Sequence, residues 1–237
     1  MTTRGITLGA VLLLCSISTS AQVDQITKQL GLGSQSGLSD SKIASGLTEA
    51  LKVGATNAVK LTGRPDGYFG NQAIKILMPK NMRPLEKGLR AVGYGPKIDD
   101  FVLSMNRSAE AAAPAAKKIF IDAILAMSFD DARKILSGGD TAATDYFKQK
   151  TTPQLTTAFR PIVEKTMDQN SVTKQYKALV GQAQQIPFMN SPNLDITNYV
   201  VSQALNGLFY VLGQQETKIR KDPAAQTTSL LKQVFGR

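Results

Sequence analysis

The chain contains no histidine and no tryptophan, and its one cysteine is Cys15. Lack of histidine removes the commonest general base, the commonest metal ligand and the usual pH switch together. Ser-His-Asp triads, Cys-His pairs and histidine zinc sites are therefore excluded. Aromatic residues make up 6% of the sequence, and the one early apolar run, Ile6 to Leu14, is too short to span a bilayer. What is present is 237 residues with 42% hydrophobic and 19% charged content, the composition of one globular domain. Lys and Arg outnumber Asp and Glu by 28 to 18, a formal charge of +10. Such an excess points to an acidic partner, for example a phosphate-bearing surface.

Arg4, the run Ile6 to Leu14 and the small, polar stretch Cys15 to Ala21 follow the charged, hydrophobic and cleavage order of a secretory signal. Residues 1–21 are read as this signal, with processing after Ala21. Cys15 offers a second possibility, a lipid anchor, but the bulky Leu14 before it argues against that processing. The exported, periplasmic reading therefore leads, and anchoring through Cys15 is the alternative. The mature chain, from Gln22 onward, has neither cysteine nor histidine. Packing alone must hold it together, and no metal or cofactor is expected.

Residues 22–37, rich in Gln, Gly and Ser, read as a flexible leader, and 38–237 as a single helical domain. Ser39 or Asp40 can cap a helix whose Ile43, Leu47, Leu51, Ala55 and Val59 recur every four residues and which ends near Gly63. Pro65-Asp-Gly67 makes a turn, and Ala73 to Met78 alternates weakly as a short strand would. A short helix spans about Asn81 to Val92. A long one runs from about Ile98 to Met127 with a kink at Pro114. Ser128 caps a helix that stops at Gly138-Gly139, and Asp140 or Thr141 restarts another. Thr152-Pro153 and Ser171 each open a further helix, and Pro187 to Asn193 is a loop. Asp195 caps a segment apolar in most directions, the expected central helix, which ends at Asp222-Pro223. Its Asn198, Ser202, Gln203 and Asn206 argue against a membrane span. Thr228 to Phe235 supplies a terminal helix. The expected fold is all-α, a single multi-helix bundle of about eight or nine helices.

Several stretches together resemble a family of exported bacterial proteins catalogued as domain of unknown function 4197. They are Asp66-Gly-Tyr68, Met105-Asn-Arg-Ser-Ala-Glu110 with Pro114, Phe129 to Gly138, and Ala142 to Phe147. Ala204 to Phe209, Glu216 to Pro223 and Leu230 to Gly236 complete the match. The resemblance implies an exported helical domain and brings no catalytic residue or cofactor with it.

Asn106 and Glu110 lie one turn apart on one helix, with Arg107 three residues before Glu110. With Asp131 and Tyr146 from following helices they form a candidate polar pocket for an anionic or hydroxylated ligand. The plainer account is a satisfied hydrogen-bond network that fixes helix crossings. Glu216 and Arg220 form a candidate ion pair one turn apart, solvated or partly buried. Asp99-Asp100 and Asp130-Asp131 cannot grip one metal from the same face, because helical neighbours diverge by about 100°.

Between Arg64 and Lys97 seven Lys or Arg face two acids. There Arg83, Lys87 and Arg90 share one helical stripe opposite Leu85, Leu89 and Val92, a basic amphipathic pattern that an anionic surface would attract. Nucleic acid is a poor partner, for want of an accompanying aromatic series. The expectation is a non-catalytic exported domain that binds an anionic envelope component or an envelope protein. The alternative is an envelope hydrolase using the carboxylates of Glu110 and Asp131.

Overall fold

The computed structural model describes residues 40–169 and 195–226, with single positions at 174, 178, 181, 228 and 232. All fall within one contiguous unit, Ser39–Arg237. The four-residue recurrence of apolar side chains produces α1 (Asp40–Gly63), whose Leu47, Leu51, Ala55 and Val59 are buried; the Ile43 side chain lies outside the described ones. Prolines at the first helical turns then open α2 (Arg83–Ala91) and α3 (Gly95–Ala112). At Pro114, where a kink is expected, the long helix is instead divided by a 3-10 turn (Ala113–Ala115) before α4 (Ala116–Leu125). Ser128 opens α5 (Phe129–Ser137) with a complete capping box. The longest element is α6 (Ala142–Gln169), and α7 (Ile196–Lys221) follows, capped by the Asp195 side chain accepting from the Asn198 N–H.

The fold is all-helical, but the helix count differs from the expected eight or nine. Seven α-helices are present among the described residues. One reason is that Thr152-Pro153, read as a helix start, falls inside α6. Pro153 removes a single intrahelical hydrogen bond. Phe147, Thr151, Leu155, Phe159 and Val163 continue one buried face across it, so tertiary burial outweighs the local break. Ala73–Met78 also corrects the expectation: no strand forms among the described residues. The alternation itself is real, because Ile74, Ile76 and Met78 are buried while Leu77 is half exposed. The helix expected from Ser171, the loop Pro187–Asn193, the terminal helix Thr228–Phe235 and the whole of residues 1–37 lie outside the described residues.

α7 packs against α1, α6 and α3, the central position that apolar residues in most directions predict. Its Phe209 meets Phe120 of α4 at 6.1 Å between ring centroids, and Phe120 meets Phe147 of α6 at 5.5 Å. Tilted aromatic contacts of this kind contribute about 0.5–1.5 kcal/mol beyond burial. Gly207 leaves a flat place on α7 for the Tyr68 ring. A Cβ there would stand 2.6 Å from Tyr68 Cε1. The fully buried Tyr68 donates its hydroxyl to the Ala204 carbonyl at 2.6 Å, and burial, aided by the nearby Glu110 charge, raises its pKa far above the ordinary tyrosine value.

Candidate functional site

Asn106, Arg107 and Glu110 come together on α3, all facing the irregular segment between α1 and α2. Glu110 is buried, and its Oε1 accepts the backbone N–H groups of Tyr68 at 3.0 Å and Phe69 at 3.1 Å. Its Oε2 accepts from Arg107 at 2.6 Å, and Arg107 reaches on to Asp66 at 2.8 Å. Asp66 has φ of +60°, a left-handed conformation that costs about 1–3 kcal/mol for a non-glycine residue and that the surrounding bonds maintain. Gly67 follows where no Cβ fits, since one would lie 2.5 Å from the carbonyl oxygens of Leu61 and Thr62. The hydrogen bond to Glu110, and secondarily that to Asp66, hold the Arg107 guanidinium above its ordinary pKa. Arg107 also sits 5.9 Å from the Phe69 ring centroid, and Lys75 covers the same ring at 3.9 Å.

Asn106 is fully buried and works on the next stretch of the same segment. Its amide accepts from the Ile76 N–H at 2.8 Å and donates to the Ile76 carbonyl at 2.8 Å and the Val102 carbonyl at 2.7 Å. A single side chain thus gives Ile76 the pair of bonds a neighbouring strand would give. Replacing Glu110 with Ala strands the Tyr68 and Phe69 N–H groups and should cost about 1–3 kcal/mol of stability, read from urea denaturation. Unchanged stability would contradict the bonding described.

Asp131 and Tyr146, grouped with this cluster by sequence, have other interactions. Asp131 completes the capping box: its carboxylate accepts from Ser128 N at 3.1 Å and Ser128 Oγ at 2.7 Å. Those two bonds lower its pKa, side-chain bond first. The box therefore contributes above the unfolded carboxylate pKa and is lost as pH falls through the depressed folded value. Tyr146 is close enough for the Asp131 charge to add to the effect of burial in raising its pKa. Among the described residues no hydrogen bond joins either residue to Glu110.

Glu216 and Arg220 form their ion pair at 2.9 Å with both side chains largely buried. The geometry adds a role the sequence did not reveal. Glu216 accepts the first free N–H groups of α6, from Ala143 at 2.9 Å and Thr144 at 2.8 Å, and the Thr144 hydroxyl at 2.8 Å. A carboxylate on α7 therefore caps α6, where the helix dipole favours negative charge. Arg220 donates to the Ile135 carbonyl near the end of α5 at 2.8 Å. The pair thereby ties three helices at one corner.

On α2, Leu85 and Leu89 are buried as expected, whereas Val92 is 60% exposed, because α2 ends at Ala91 and the chain turns away. Arg90 is engaged by Asp99 at 2.7 Å and Glu86 at 3.0 Å, with Asp99 the larger cause of its raised pKa. Arg83 and Lys87 are exposed. The stripe therefore presents less free charge than its sequence suggests.

A second cationic surface was not singled out by sequence. Between α6 and α7 runs an open groove of about 720 Å3, lined by Lys148, Asn206, Tyr210, Gln214, Lys218 and neighbouring residues. Asn206, Tyr210, Gln214 and Lys218 recur at steps of four along α7 and are exposed. This polar stripe was the legible signal. Lys221 at one end pairs with Asp140. Neither Lys148 nor Lys218 has an ion-pair partner among the described residues. Also among the described residues, no group of three metal-capable side chains gathers, and no helix is long and apolar enough to cross a membrane.

These features define an all-α scaffold with two internal carboxylate-centred networks and a cationic groove. The chain belongs to the family described as protein of unknown function (DUF4197), whose model matches residues 37–236. No curated protein and no solved structure matches the chain.

Proposed function

We propose that this protein is an exported, periplasmic, non-catalytic helical domain that binds an anionic component of the cell envelope. The observation that carries the reading is the groove, where Lys148 and Lys218 stand beside amide and phenol groups left to solvent. The excess of positive charge over the whole chain works in the same direction. The hydrolase alternative needs a carboxylate free to exchange protons with a substrate. Glu110 is bonded to two backbone N–H groups and Arg107, and Asp131 to Ser128, which favours binding over hydrolysis.

Two measurements test the halves of this reading. The intact mass of the exported product is expected to fit a chain beginning at Gln22; a lipid-modified chain beginning at Cys15, or an uncleaved one, overturns the processing. The mature protein is expected to be retained on immobilised sulfated dextran at low salt, released by salt, and to pass through neutral dextran. Failure to be retained on the sulfated matrix overturns the anionic-ligand half.

A further inference from the structure

We infer that the groove between α6 and α7 is a binding site for an acidic oligosaccharide, a ligand in which hydroxyl-rich sugar rings alternate with spaced carboxylate or phosphate groups. This rests on the anionic-ligand reading above and narrows it to one surface and one chemistry.

The α7 side of the groove runs from Asn206 to Lys221, about 22 Å at 1.5 Å per helical residue. That length suits several linked units rather than one small anion, and the volume of about 720 Å3 lies within the usual range of ligand clefts. The apolar cleft on the other side of α7, lined by Leu47, Leu51, Gly54 and Phe147, has a volume of only about 20 Å3 and holds no more than about one water.

The lining selects the chemistry. Tyr210 is 48% exposed and offers a flat apolar ring with a polar tip, the surface on which the apolar face of a sugar ring stacks. Asn206 and Gln214 flank it one turn before and one turn after, and each amide both donates and accepts, as paired hydroxyls require. Lys148 and Lys218 supply cations from opposite walls, one on α6 and one on α7. Asp145 also lines the groove, and its carboxylate repels a continuous polyanion. A ligand with acids set apart by neutral hydroxylated stretches avoids that repulsion, which a nucleic acid or polyphosphate cannot do.

The test is titration of the 15N-labelled mature protein with oligogalacturonate, with a neutral oligosaccharide of similar length, and with phosphatidylglycerol vesicles. Oligogalacturonate is expected to shift the amide signals of Asn206, Tyr210 and Gln214, and the neutral sugar to bind more weakly. Lys148→Glu with Lys218→Glu is expected to weaken oligogalacturonate binding about tenfold or more, and Tyr210→Ala severalfold. The charge-matched control Lys60→Glu with Lys117→Glu, which changes exposed cations outside the groove, should leave most of the affinity. All four positions changed to Glu are exposed, so melting curves are expected to match wild type. Equal binding by wild type and the Lys148/Lys218 variant, equal losses in variant and control, or binding to vesicles alone overturns the glycan site while leaving the anionic-ligand reading standing. Binding to none of the anionic probes overturns both.

Discussion

Glu216→Ala should lower the unfolding free energy by about 3–5 kcal/mol, the loss expected when one partner of a buried, hydrogen-bonded pair is removed. The carboxylate accepts from the N–H groups of Ala143 and Thr144, from the Thr144 hydroxyl and twice from Arg220. Its removal uncaps the 28-residue α6 and takes a carboxylate at 2.9 Å from a guanidinium whose side chain is 12% exposed. Glu216→Gln keeps one carbonyl acceptor but not the charge, so it should lose less. Urea denaturation at neutral pH reads both as lower midpoints with an unchanged slope. A loss below about 1 kcal/mol for the Ala variant would mean that water replaces these bonds freely.

Asn106→Ala should cost about 2–6 kcal/mol, because it leaves both the N–H and the carbonyl of Ile76 without their partner at about 1–3 kcal/mol for each stranded group. Asn106→Asp is the sharper control. It still accepts from the Ile76 N–H but cannot donate to the Ile76 and Val102 carbonyls, which lie at 2.8 and 2.7 Å from the amide nitrogen. Both variants should be destabilised, and amide exchange at Ile76 should accelerate more than at Leu47 in the buried face of α1. Wild-type exchange at Ile76 in Asn106→Ala would show that the segment holds its shape without this clamp.

The local signals in the sequence translated well. One-turn apolar spacing marked α1, and side-chain caps marked α5 and α7, because these depend on residues within four positions of each other. Pro153 misled for the same reason: the start signal it gives is local, while the buried face that carries α6 through it is set by α3 and α7. Ala73–Met78 shows the limit from the other side. Its alternation reported burial correctly, but the partner of Ile76 at its centre is an asparagine side chain 30 residues away, which periodicity cannot reveal. The polar cluster followed the same division. Asn106, Arg107 and Glu110 were visible as helical neighbours, while their partners Asp66, Tyr68 and Ile76 come from the irregular segment before α2. Glu216 and Arg220 were visible as a pair, but the α6 N-terminus that Glu216 caps is 73 residues distant at Ala143. The groove was legible only as a polar stripe on α7, since its other wall is supplied by a separate helix.

Under the proposed function the Glu110 network maintains the fold, while the cationic groove would bind the anionic ligand. Measuring denaturation midpoint and retention on sulfated dextran for the same two variants tests it most directly. Glu110→Ala should have a lower midpoint, and its folded fraction should elute at the wild-type salt concentration. Lys148→Glu with Lys218→Glu should keep the wild-type midpoint and elute at lower salt than the Lys60→Glu, Lys117→Glu control. A Glu110→Ala protein with wild-type stability and lost retention would contradict the account and make the buried cluster the binding site.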